Sequence, residues 1–427
     1  MSGIVPRFIL LAGGEGKRFA PFVTNKTIFP VCGKPLIVHQ LEQLARVGVT
    51  QVLVATNADN HAVMSQLVIE GLEIQTHQQP EPRGMADAVM ALGELLGDQP
   101  SVFMNAVDVV SDQLFHDLFT KIATTTPRGV IVGKEMSTYF PGGYLQLEGN
   151  RVTGVIEKPA PGSEPSSLVN LVYHYVERPT EFLNHIKNQA AQTQTDDVYE
   201  RALTAYLQEA VFEYVPYTGF WKKLKYPHFV LDVVDIFLRE NITNFVDPTA
   251  KISSHAVIEG AVYIAEGAQI QPGAVIQGPA YIGAHAIIGI GSLVRQSCIE
   301  ARAVVGYGSE VARSYVGPQC MLHHNFIGDS VLEADVNPSY GSVTTNFRFD
   351  KGPVSIHMPD GTKLETGRQK LGACLAAGVF SGAHTVFLPG ATVGEKARVY
   401  PATVVHGFIP AHSVVKSKQQ QEVQNYT

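Results

Sequence analysis

Cysteine is scarce in this chain: its 427 residues include 4 cysteines, and no two of them form a C-x-x-C pair. They stand far apart, at Cys32, Cys298, Cys320 and Cys374. This spacing argues against a disulfide framework and against a cysteine-ligated metal site. We expect reduced thiols that behave as small, buried, apolar side chains.

Long apolar runs and excess positive charge are also lacking. No apolar run reaches the roughly 18 residues of a membrane span, and no signal-peptide pattern is recognisable. The formal net charge of −7 provides no electrostatic footprint for nucleic acid. The composition is 45% hydrophobic and 17% charged, which is typical of a globular protein, and the length favours two domains. We therefore expect a cytoplasmic protein without nucleic-acid or membrane partners.

A glycine-rich turn at residues 11–18, LAGGEGKR, is the most informative stretch that is present. The apolar residues 9–12 predict a buried strand, and the glycines after it leave backbone N–H groups open to a phosphate. The turn is not a Walker loop, because no Gly-Lys-Ser/Thr ends it. The G-x-G-x-x-G pattern does not fit either, since Phe19 occupies its last position. An ordinary tight turn is the alternative.

Residues 1 to about 240 alternate short apolar runs with helical patterns. The predicted strands lie at 8–12, 52–55, 102–104 and 129–133, and the predicted helices lie near 36–47, 60–69 and 84–96. This alternation predicts an α/β fold with a mainly parallel sheet and helices on both faces. Ligands of such sheets bind outside the carboxyl ends of the strands, where the glycine turn falls.

A period of six residues replaces this pattern from Ile252 onward. The repeated aliphatic positions are Ile252, Ile258, Ile264, Ile270, Ile276, Ile282, Ile288 and Val294. A small residue follows each of them four places later, and a repeat this strict indicates a solenoid. It resembles the left-handed parallel β-helix of hexapeptide-repeat proteins, which has three hexads in each coil. The register shortens by one residue at three steps, which are Val294 to Ile299, Val311 to Val316 and Leu322 to Ile327.

The two patterns divide the chain into four expected segments. These are an amino-terminal domain at 1–240, a linker at 241–251, a β-helix at 252–415 and a flexible tail at 416–427. A loop insertion near 338–370 is expected to interrupt the β-helix, because the repeat is lost there and resumes at Leu375.

The stretch 11–36 resembles the signature of sugar-1-phosphate nucleotidyltransferases. In that family L-A-x-G-x-G-x-R is followed by a lysine and then by G-K-P-L, which correspond here to residues 11–18, Lys26 and residues 33–36. The resemblance implies a Rossmann-like domain of the glycosyltransferase-A type. It also implies a reaction in which a sugar 1-phosphate displaces pyrophosphate from a nucleoside triphosphate.

The resemblance also implies a nucleotide site. Its nucleotide-binding residues would be Leu11, Ala12, Gly13, Gly14, Gln79 and Gly84. Arg18 and Lys26 would act on the phosphates during catalysis. The amide of Gln79 can both donate and accept, which suits uracil or thymine and therefore UTP or dTTP. An exposed loop position is the alternative for Gln79.

A metal position and a sugar position complete this site. Asp108 follows the run 102–107, VFMNAV, and a carboxylate at the end of a strand suits Mg²⁺, which needs only one or two protein carboxylates. The alternative is that Asp108 caps a following helix. Gly143, Glu157 and Asn170 match family positions that line the sugar pocket, although Asn170 could also be a surface-loop residue.

Among the departures from the family's pattern, three bear most on activity. Met85 replaces a threonine in the base-recognition loop, and Val107 replaces a glycine before Asp108. Lys223 stands where the family places a second aspartate for Mg²⁺. A lysine cannot bind Mg²⁺, but its ammonium could replace part of the charge. We expect retained activity, and a catalytically weak regulatory or scaffold subunit is the alternative.

Residues 322–330, LHHNFIGDS, resemble the acetyltransferase half of bifunctional uridyltransferase/glucosamine-1-phosphate acetyltransferases. The resemblance implies that His323 takes a proton from an attacking amine, with acetyl-CoA as co-substrate. It further implies that Asn346 helps to hold the acetyl-transfer substrate. Ser339 and Tyr340 fill space that this family leaves small, so a structural histidine is the alternative. A homotrimer built on the β-helix is also implied.

The leading hypothesis is thus a transferase that makes a nucleotide-sugar. Its first substrate pair would be UTP with N-acetylglucosamine 1-phosphate, and its second dTTP with glucose 1-phosphate. Acetylation of glucosamine 1-phosphate is a further activity to be tested.

Overall fold

The computed structural model describes residues 5–124, 128–193, 195 and 197–418. The expected flexible tail lies outside the described residues from position 419 onward. The chain forms two compact units. Of the described residues, the first contains those within 5–15 and 36–223, and the second contains those within 16–35 and 224–418.

The helices and strands have the following bounds among the described residues. The helices are α1 (Leu36–Arg46), α2 (His61–Met64), α3 (Met85–Leu92), α4 (Asp112–Thr124), α5 (Pro179–Gln192), α6 (Val198–Glu209) and α7 (Phe229–Glu240). The strands before residue 224 are β1 (Arg7–Leu11), β2 (Pro30–Val31), β3 (Lys34–Pro35), β4 (Gln51–Thr56), β5 (Glu73–Gln78), β6 (Ser101–Asn105), β7 (Asp108–Val110), β8 (Gly129–Glu135), β9 (Gly143–Glu148), β10 (Arg151–Glu157), β11 (Leu168–Val176), β12 (Phe212–Tyr217) and β13 (Trp221–Lys223).

The strands after residue 240 are short. They are β14 (Phe245–Val246), β15 (Lys251–Ile252), β16 (Val257–Glu259), β17 (Val262–Ile264), β18 (Gln269–Ile270), β19 (Val275–Gln277), β20 (Ala280–Ile282), β21 (Ile287–Ile288), β22 (Leu293–Arg295), β23 (Cys298–Ile299), β24 (Val304–Val305), β25 (Glu310–Ala312), β26 (Tyr315–Val316), β27 (Met321–Leu322), β28 (Phe326–Gly328), β29 (Val331–Leu332), β30 (Asn337–Pro338), β31 (Val343–Thr344), β32 (Ser355–His357), β33 (Lys363–Glu365), β34 (Cys374–Leu375), β35 (Phe380–Ser381), β36 (Val386–Phe387), β37 (Thr392–Val393), β38 (Arg398–Val399), β39 (Val404–Val405), β40 (Phe408–Ile409) and β41 (Val414–Val415).

The first unit is an α/β domain built on one sheet, with the strand order β5-β4-β1-β6-β11-β8-β12-β10-β9. The strands β5, β4, β1 and β6 are parallel neighbours, as the alternation of strands and helices predicts. The rest of the sheet is mixed rather than mainly parallel, because β11 runs antiparallel to both β6 and β8. No helix separates β8 from β11 in residues 129–176, and a parallel return would need a longer crossover.

Two predicted helices are shorter than the sequence pattern indicated. The helix expected at 60–69 ends at Met64, and Val68 beyond it is 90% exposed, so its apolar side chain belongs to no core-facing stripe. The helix expected at 84–96 ends at Leu92. Gly93 has a φ of 49°, and the chain continues from it as a 3₁₀ turn.

The second unit contains a left-handed parallel β-helix, as the six-residue period predicts. Each early strand pairs with the strand three hexads later, so that Ile264 lies beside Ile282 and Ile270 lies beside Ile288. From Ile264 onward the aliphatic residues of these hexads fill the core and are almost fully buried, whereas Ile252 and Ile258 in the first coil are each 37% exposed. The shortened register also appears, because Ile282 pairs with Ile299 in the next coil.

The insertion begins later than the predicted position near 338. The strands β30 and β31 still pair with neighbouring coils, and Pro338 and Thr344 are buried. Their inward side chains keep the coil intact although they do not match the hexad pattern. The inserted residues then form the antiparallel hairpin β32–β33.

Membrane-spanning helices are lacking in the described part of the chain, where every helix is too short or too polar to cross a bilayer.

Candidate nucleotide and sugar-phosphate site

Four polar or glycine positions share one edge of the first unit's sheet. Gly13 follows β1, Asn57 follows β4, Gln79 follows β5 and Asp108 comes shortly after β6. These four strands are parallel neighbours, so their carboxyl ends lie at the same edge. The residues predicted for the nucleotide and for a metal therefore come together where parallel α/β sheets bind ligands.

The glycine turn is held from its carbonyl side by two buried asparagines. Asn60 Nδ2 donates to the Ala12 carbonyl at 2.8 Å. Asn57 Nδ2 donates to the carbonyls of Gly13 and Gly14, each at 3.2 Å. Within the described residues, no acceptor takes up the N–H of Gly13 or Gly14. The turn thus presents donors of the kind that bind a phosphate.

Gln79 is packed against this turn and is only 2% exposed, so it is not an exposed loop residue. Its Nε2 donates to the Gly13 carbonyl at 3.0 Å. A Cβ atom at position 13 would lie 2.3 Å from Gln79 Oε1, which explains the glycine there. Gln79 Oε1 is buried and has no hydrogen-bond partner among the described residues. It is an acceptor that could serve an N–H of a pyrimidine base.

Gly84 immediately precedes α3 and has a φ of 150°. This backbone conformation strongly favours glycine. No heavy atom lies within 4 Å of the place where a Cβ would stand, so the backbone here is open to close approach.

Asp108 begins β7, and α4 begins only at Asp112, so Asp108 does not cap that helix. The antiparallel pairing of β7 with β13 places Lys223 directly opposite Asp108. Asp108 Oδ2 accepts from Trp221 Nε1 at 3.0 Å, and Lys223 Nζ lies 3.8 Å from Asp108 Oδ1. Asp108 is 1% exposed. The pKa of Tyr173 is raised well above its usual range, first by the burial of Tyr173 itself and then by the negative charge of Asp108. The strand pairing therefore places an ammonium beside the buried carboxylate.

This arrangement does not fit a magnesium ion held by two carboxylates. Mg²⁺ takes oxygen ligands, whereas Asp108 supplies a single carboxylate whose Oδ2 already accepts from an indole N–H and whose Oδ1 lies 3.8 Å from the Lys223 ammonium. The described residues also contain no group of three or more His, Cys, Asp or Glu side chains suited to a metal ion. The first unit thus carries a Lys–Asp ion pair where the resemblance implied a second metal ligand.

The three residues predicted for the sugar lie together. Gly143 pairs with Glu157 across β9 and β10, and a Cβ at position 143 would lie 3.0 Å from Glu157 Oε2 and 3.6 Å from Asn170 Cβ. Asn170 Oδ1 contacts His174 Nε2 at 2.9 Å, and burial lowers the pKa of His174 to about 3. A neutral His174 therefore orients Asn170 in β11, and Asn170 is not a surface-loop residue.

Sequence reasoning missed Asn57, Asn60 and Glu200. The two asparagines follow the predicted strand 52–55 at its carboxyl end, which is a signal that could have identified them. Glu200 lies in the first turn of α6, and its Oε2 is buried without a hydrogen-bond partner in the described chain. Burial raises the pKa of Glu200 to about 7, with a smaller contribution from the charge of Glu157. No motif in the sequence surrounds this residue, so nothing there marks it as functional.

Arg18 and Lys26 belong to the second unit. Arg18 is exposed and lies in a 3₁₀ turn, whereas Lys26 is partly buried. A Cβ at Gly16 would lie 3.9 Å from Lys26 Cδ, so the lysine stem passes close to the end of the glycine turn.

The histidine predicted for acetyl transfer is exposed on the β-helix. The backbone N–H of His323 donates to Asn325 Oδ1. The next residue, His324, stacks on Tyr340, with ring centroids 5.4 Å apart. Asn346 Nδ2 donates to an Asp329 carboxylate oxygen at 2.6 Å. The second unit therefore offers an exposed imidazole and, on Asn346, a polar amide already bonded to a carboxylate.

The chain is similar to several known proteins. A profile of the nucleotidyl transferase family matches residues 7–223. A bifunctional sugar-1-phosphate nucleotidylyltransferase/acetyltransferase from Sulfurisphaera tokodaii is 28% identical over 406 residues, covering 93% of this chain and 96% of that protein. The bifunctional protein GlmU from Methanocaldococcus jannaschii is 27% identical over 422 residues, covering 96% of this chain and 98% of that protein. A solved structure of UDP-glucose pyrophosphorylase from Acinetobacter baumanii matches 56% of this chain and 95% of its own, with a TM-score of 0.48 and 18% identity.

Proposed function

Since the chain belongs to the nucleotidyl transferase family, we propose that it joins a nucleoside triphosphate to a sugar 1-phosphate and releases pyrophosphate. A phosphate oxygen of the sugar 1-phosphate attacks the α-phosphorus, and the bond from that phosphorus to the bridging oxygen of the β-phosphate breaks. The electron pair leaves with pyrophosphate. The product is a nucleotide-sugar.

The observation that carries this proposal is the shared sheet edge of Gly13, Gln79 and Asp108. In the proposal the N–H groups of the glycine turn receive a phosphate, and Gln79 reads a pyrimidine base, as in UTP or dTTP. Arg18 and Lys26 neutralise charge on the triphosphate, which is the main work in phosphoryl-group chemistry.

The sugar 1-phosphate is assigned to the cluster around Gly143. Glu157 and Asn170 present a carboxylate and an amide beside that glycine, and both groups can bond to sugar hydroxyls. N-acetylglucosamine 1-phosphate is the first candidate, and glucose 1-phosphate is the second.

Pyrophosphate release from a panel of triphosphates and sugar 1-phosphates tests the proposal. We expect turnover with UTP or dTTP and little with purine nucleotides. Folded protein that releases no pyrophosphate with any pair would contradict the proposal and favour a regulatory or scaffold subunit.

A second candidate function is acetylation of glucosamine 1-phosphate with acetyl-CoA. It is favoured by the two bifunctional relatives, which cover more than 90% of this chain, β-helix included. The amine would attack the thioester carbon, the C–S bond would break with its electron pair leaving on the sulfur of CoA, and His323 would take the amine proton and could pass it to that thiolate. If the His323→Ala variant released thiol at the wild-type rate, His323 would have no part in this mechanism.

The cytoplasmic location, the homotrimer and the domain boundaries at 240, 252 and 415 stay proposals.

A further inference from the structure

Segment 16–35, which contains Arg18 and Lys26, is anchored on the β-helix within the second unit. Phe19, Phe22 and Phe29 form an aromatic cluster in this segment, with ring centroids between 5.2 and 5.8 Å apart. Phe29 also packs on Tyr315 of β26 at 5.2 Å. Burial of these rings holds the segment against one face of the solenoid.

Glu333 anchors the middle of the segment through its backbone. Glu333 Oε1 accepts from the N–H of Thr24 at 2.8 Å and from the N–H of Val23 at 3.2 Å. Its other oxygen accepts from the N–H of Ala377 in the next coil at 2.9 Å. The carboxylate is 2% exposed, so these bonds are shielded from water and are of the strong, charge-assisted kind.

Glu300 anchors the end of the segment. Glu300 Oε2 accepts from the N–H of Gly33 at 3.1 Å, and Cys298 Sγ lies 3.3 Å from Glu300 Oε1. Gly33 has a φ of 85°, and a Cβ there would lie 2.1 Å from the Tyr281 hydroxyl. The chain can therefore pass Tyr281 closely only with glycine at this position.

These anchors follow neighbouring strands of one solenoid face. Tyr281 lies in β20, Glu300 follows β23, Tyr315 lies in β26 and Glu333 follows β29, and these strands are consecutive in that sheet. The spacing of successive coils therefore sets the path of the backbone between Val23 and Gly33.

We propose that Glu333 and Glu300 are positioning residues for nucleotidyl transfer, because they fix the segment that carries Arg18 and Lys26. This inference rests on the proposed function. It assigns to the β-helix a role in the first reaction that does not depend on acetyl transfer. Neither glutamate touches the triphosphate. Each acts through backbone N–H groups of the segment.

The test uses Glu333→Gln and Glu300→Gln in the full chain. In Glu333→Gln the amide nitrogen faces either Ala377 N–H or the N–H groups of Val23 and Thr24, so one set of bonds is lost. We expect kcat/KM for the triphosphate to fall by about tenfold to a hundredfold, because a displacement of catalytic groups by about 1 Å can reduce the rate by this much. KM for the sugar 1-phosphate should stay unchanged. Hydrogen exchange at Val23 and Thr24 should accelerate, while the core strands of the solenoid keep their protection.

Two matched controls separate positioning from general damage. Glu266→Gln makes the same change at an exposed glutamate of the β-helix. Val23→Ala shortens a side chain that is 53% exposed but keeps the backbone N–H that bonds to Glu333. We expect wild-type kinetics and wild-type exchange from both controls.

The outcomes distinguish this inference from the function on which it rests. Faster exchange in the segment with an unchanged kcat/KM would overturn the positioning role, and so would unchanged exchange in both glutamine variants. A fall in kcat/KM that accompanies a uniform loss of protection would indicate general destabilisation and also contradict it. Wild-type protein that releases no pyrophosphate would refute the proposed function and this inference with it.

Discussion

At the scale of single residues, Lys223 determines the charge around Asp108. The ammonium lies 3.8 Å from a carboxylate oxygen that is shielded from water. Lys223, in β13, therefore supplies part of the positive charge that a metal ion would bring. Wild-type turnover should accordingly depend only weakly on added Mg²⁺.

Lys223→Asp should make turnover depend steeply on Mg²⁺. The variant loses the ammonium and gains a second carboxylate opposite Asp108, which is a better donor set for Mg²⁺. We expect the rate of the variant to rise by about tenfold or more as Mg²⁺ is added, since a metal can supply several kcal/mol of charge stabilisation. Pyrophosphate release over a Mg²⁺ titration measures this. Lys222→Asp, at the exposed neighbouring position, is the matched control, and equal Mg²⁺ dependence in both variants would refute the idea.

Glu300 should make stability depend on pH near neutrality. Burial raises the pKa of Glu300 to about 7 from an ordinary value of 4.5, and the groups facing it are Cys298, Cys32, Tyr281 and Tyr315. A raised pKa means that the folded state binds the proton more tightly. This contribution to stability is complete below pH 4.5 and is lost as the pH rises through 7.

Glu300→Gln should remove this dependence. Each pKa unit is worth about 1.4 kcal/mol, so the free energy of unfolding should change by a few kcal/mol less in the variant than in the wild type between pH 5 and pH 8. Urea unfolding at several pH values measures the difference. A constant offset between the two proteins over this range would show that Glu300 does not titrate there.

At the scale of elements, the requirement for glycine at position 33, in the turn between β2 and β3, can be tested by substitution. Gly33→Ala costs about 1–2 kcal/mol for the positive φ, and the Cβ clash with Tyr281 adds about 1–3 kcal/mol. Gly48→Ala is the matched control, because Gly48 has a φ of 90° but no atom within 4 Å of its Cβ position. Thermal unfolding should place the first variant below the second. Equal losses would mean that Tyr281 moves aside without cost.

The sequence patterns predicted those elements whose side-chain period is directly visible. The structure confirms the parallel strands β1, β4 and β6 and the six-residue coils. They were predictable because burial on both faces of a sheet, or in a solenoid core, imposes a regular apolar pattern on the sequence. The antiparallel return of β11 was missed, since strand direction depends on the connection and not on the strand's own residues.

The site was predictable only in part, for a related reason. The glycine turn and Gln79 carry local motifs, and the structure places them in contact. The asparagines behind the turn and the anchors Glu300 and Glu333 act across long sequence separations, so no local pattern shows them. The roles of Arg18, Lys26 and His323 in catalysis stay predictions.

At the scale of the whole molecule, the placement of segment 16–35 predicts how the chain can be divided. A fragment that ends at residue 240 would contain the segment without Glu300, Tyr315 and Glu333. Its aromatic cluster would lose the surface against which Phe29 packs. We expect such a fragment to be poorly soluble and to release little pyrophosphate.

Soluble yield and pyrophosphate release measure this expectation. A chain shortened only to residue 418 is the matched control, because it retains all of these contacts. A soluble fragment 1–240 with the activity of the full chain would show that the amino-terminal half needs no support from the β-helix.

The bonds from Glu333 to residues 23 and 24 also have a consequence for biosynthesis. The partners are 309 and 310 residues apart in the chain. At about 5–20 residues per second, a ribosome needs roughly 15–60 s to make the glutamate after the early segment has been synthesised. Phe29 has Phe19 and Phe22 beside it from the start but lacks Tyr315 for most of this interval, so we expect its ring to be bound by chaperones that shield nascent polypeptides.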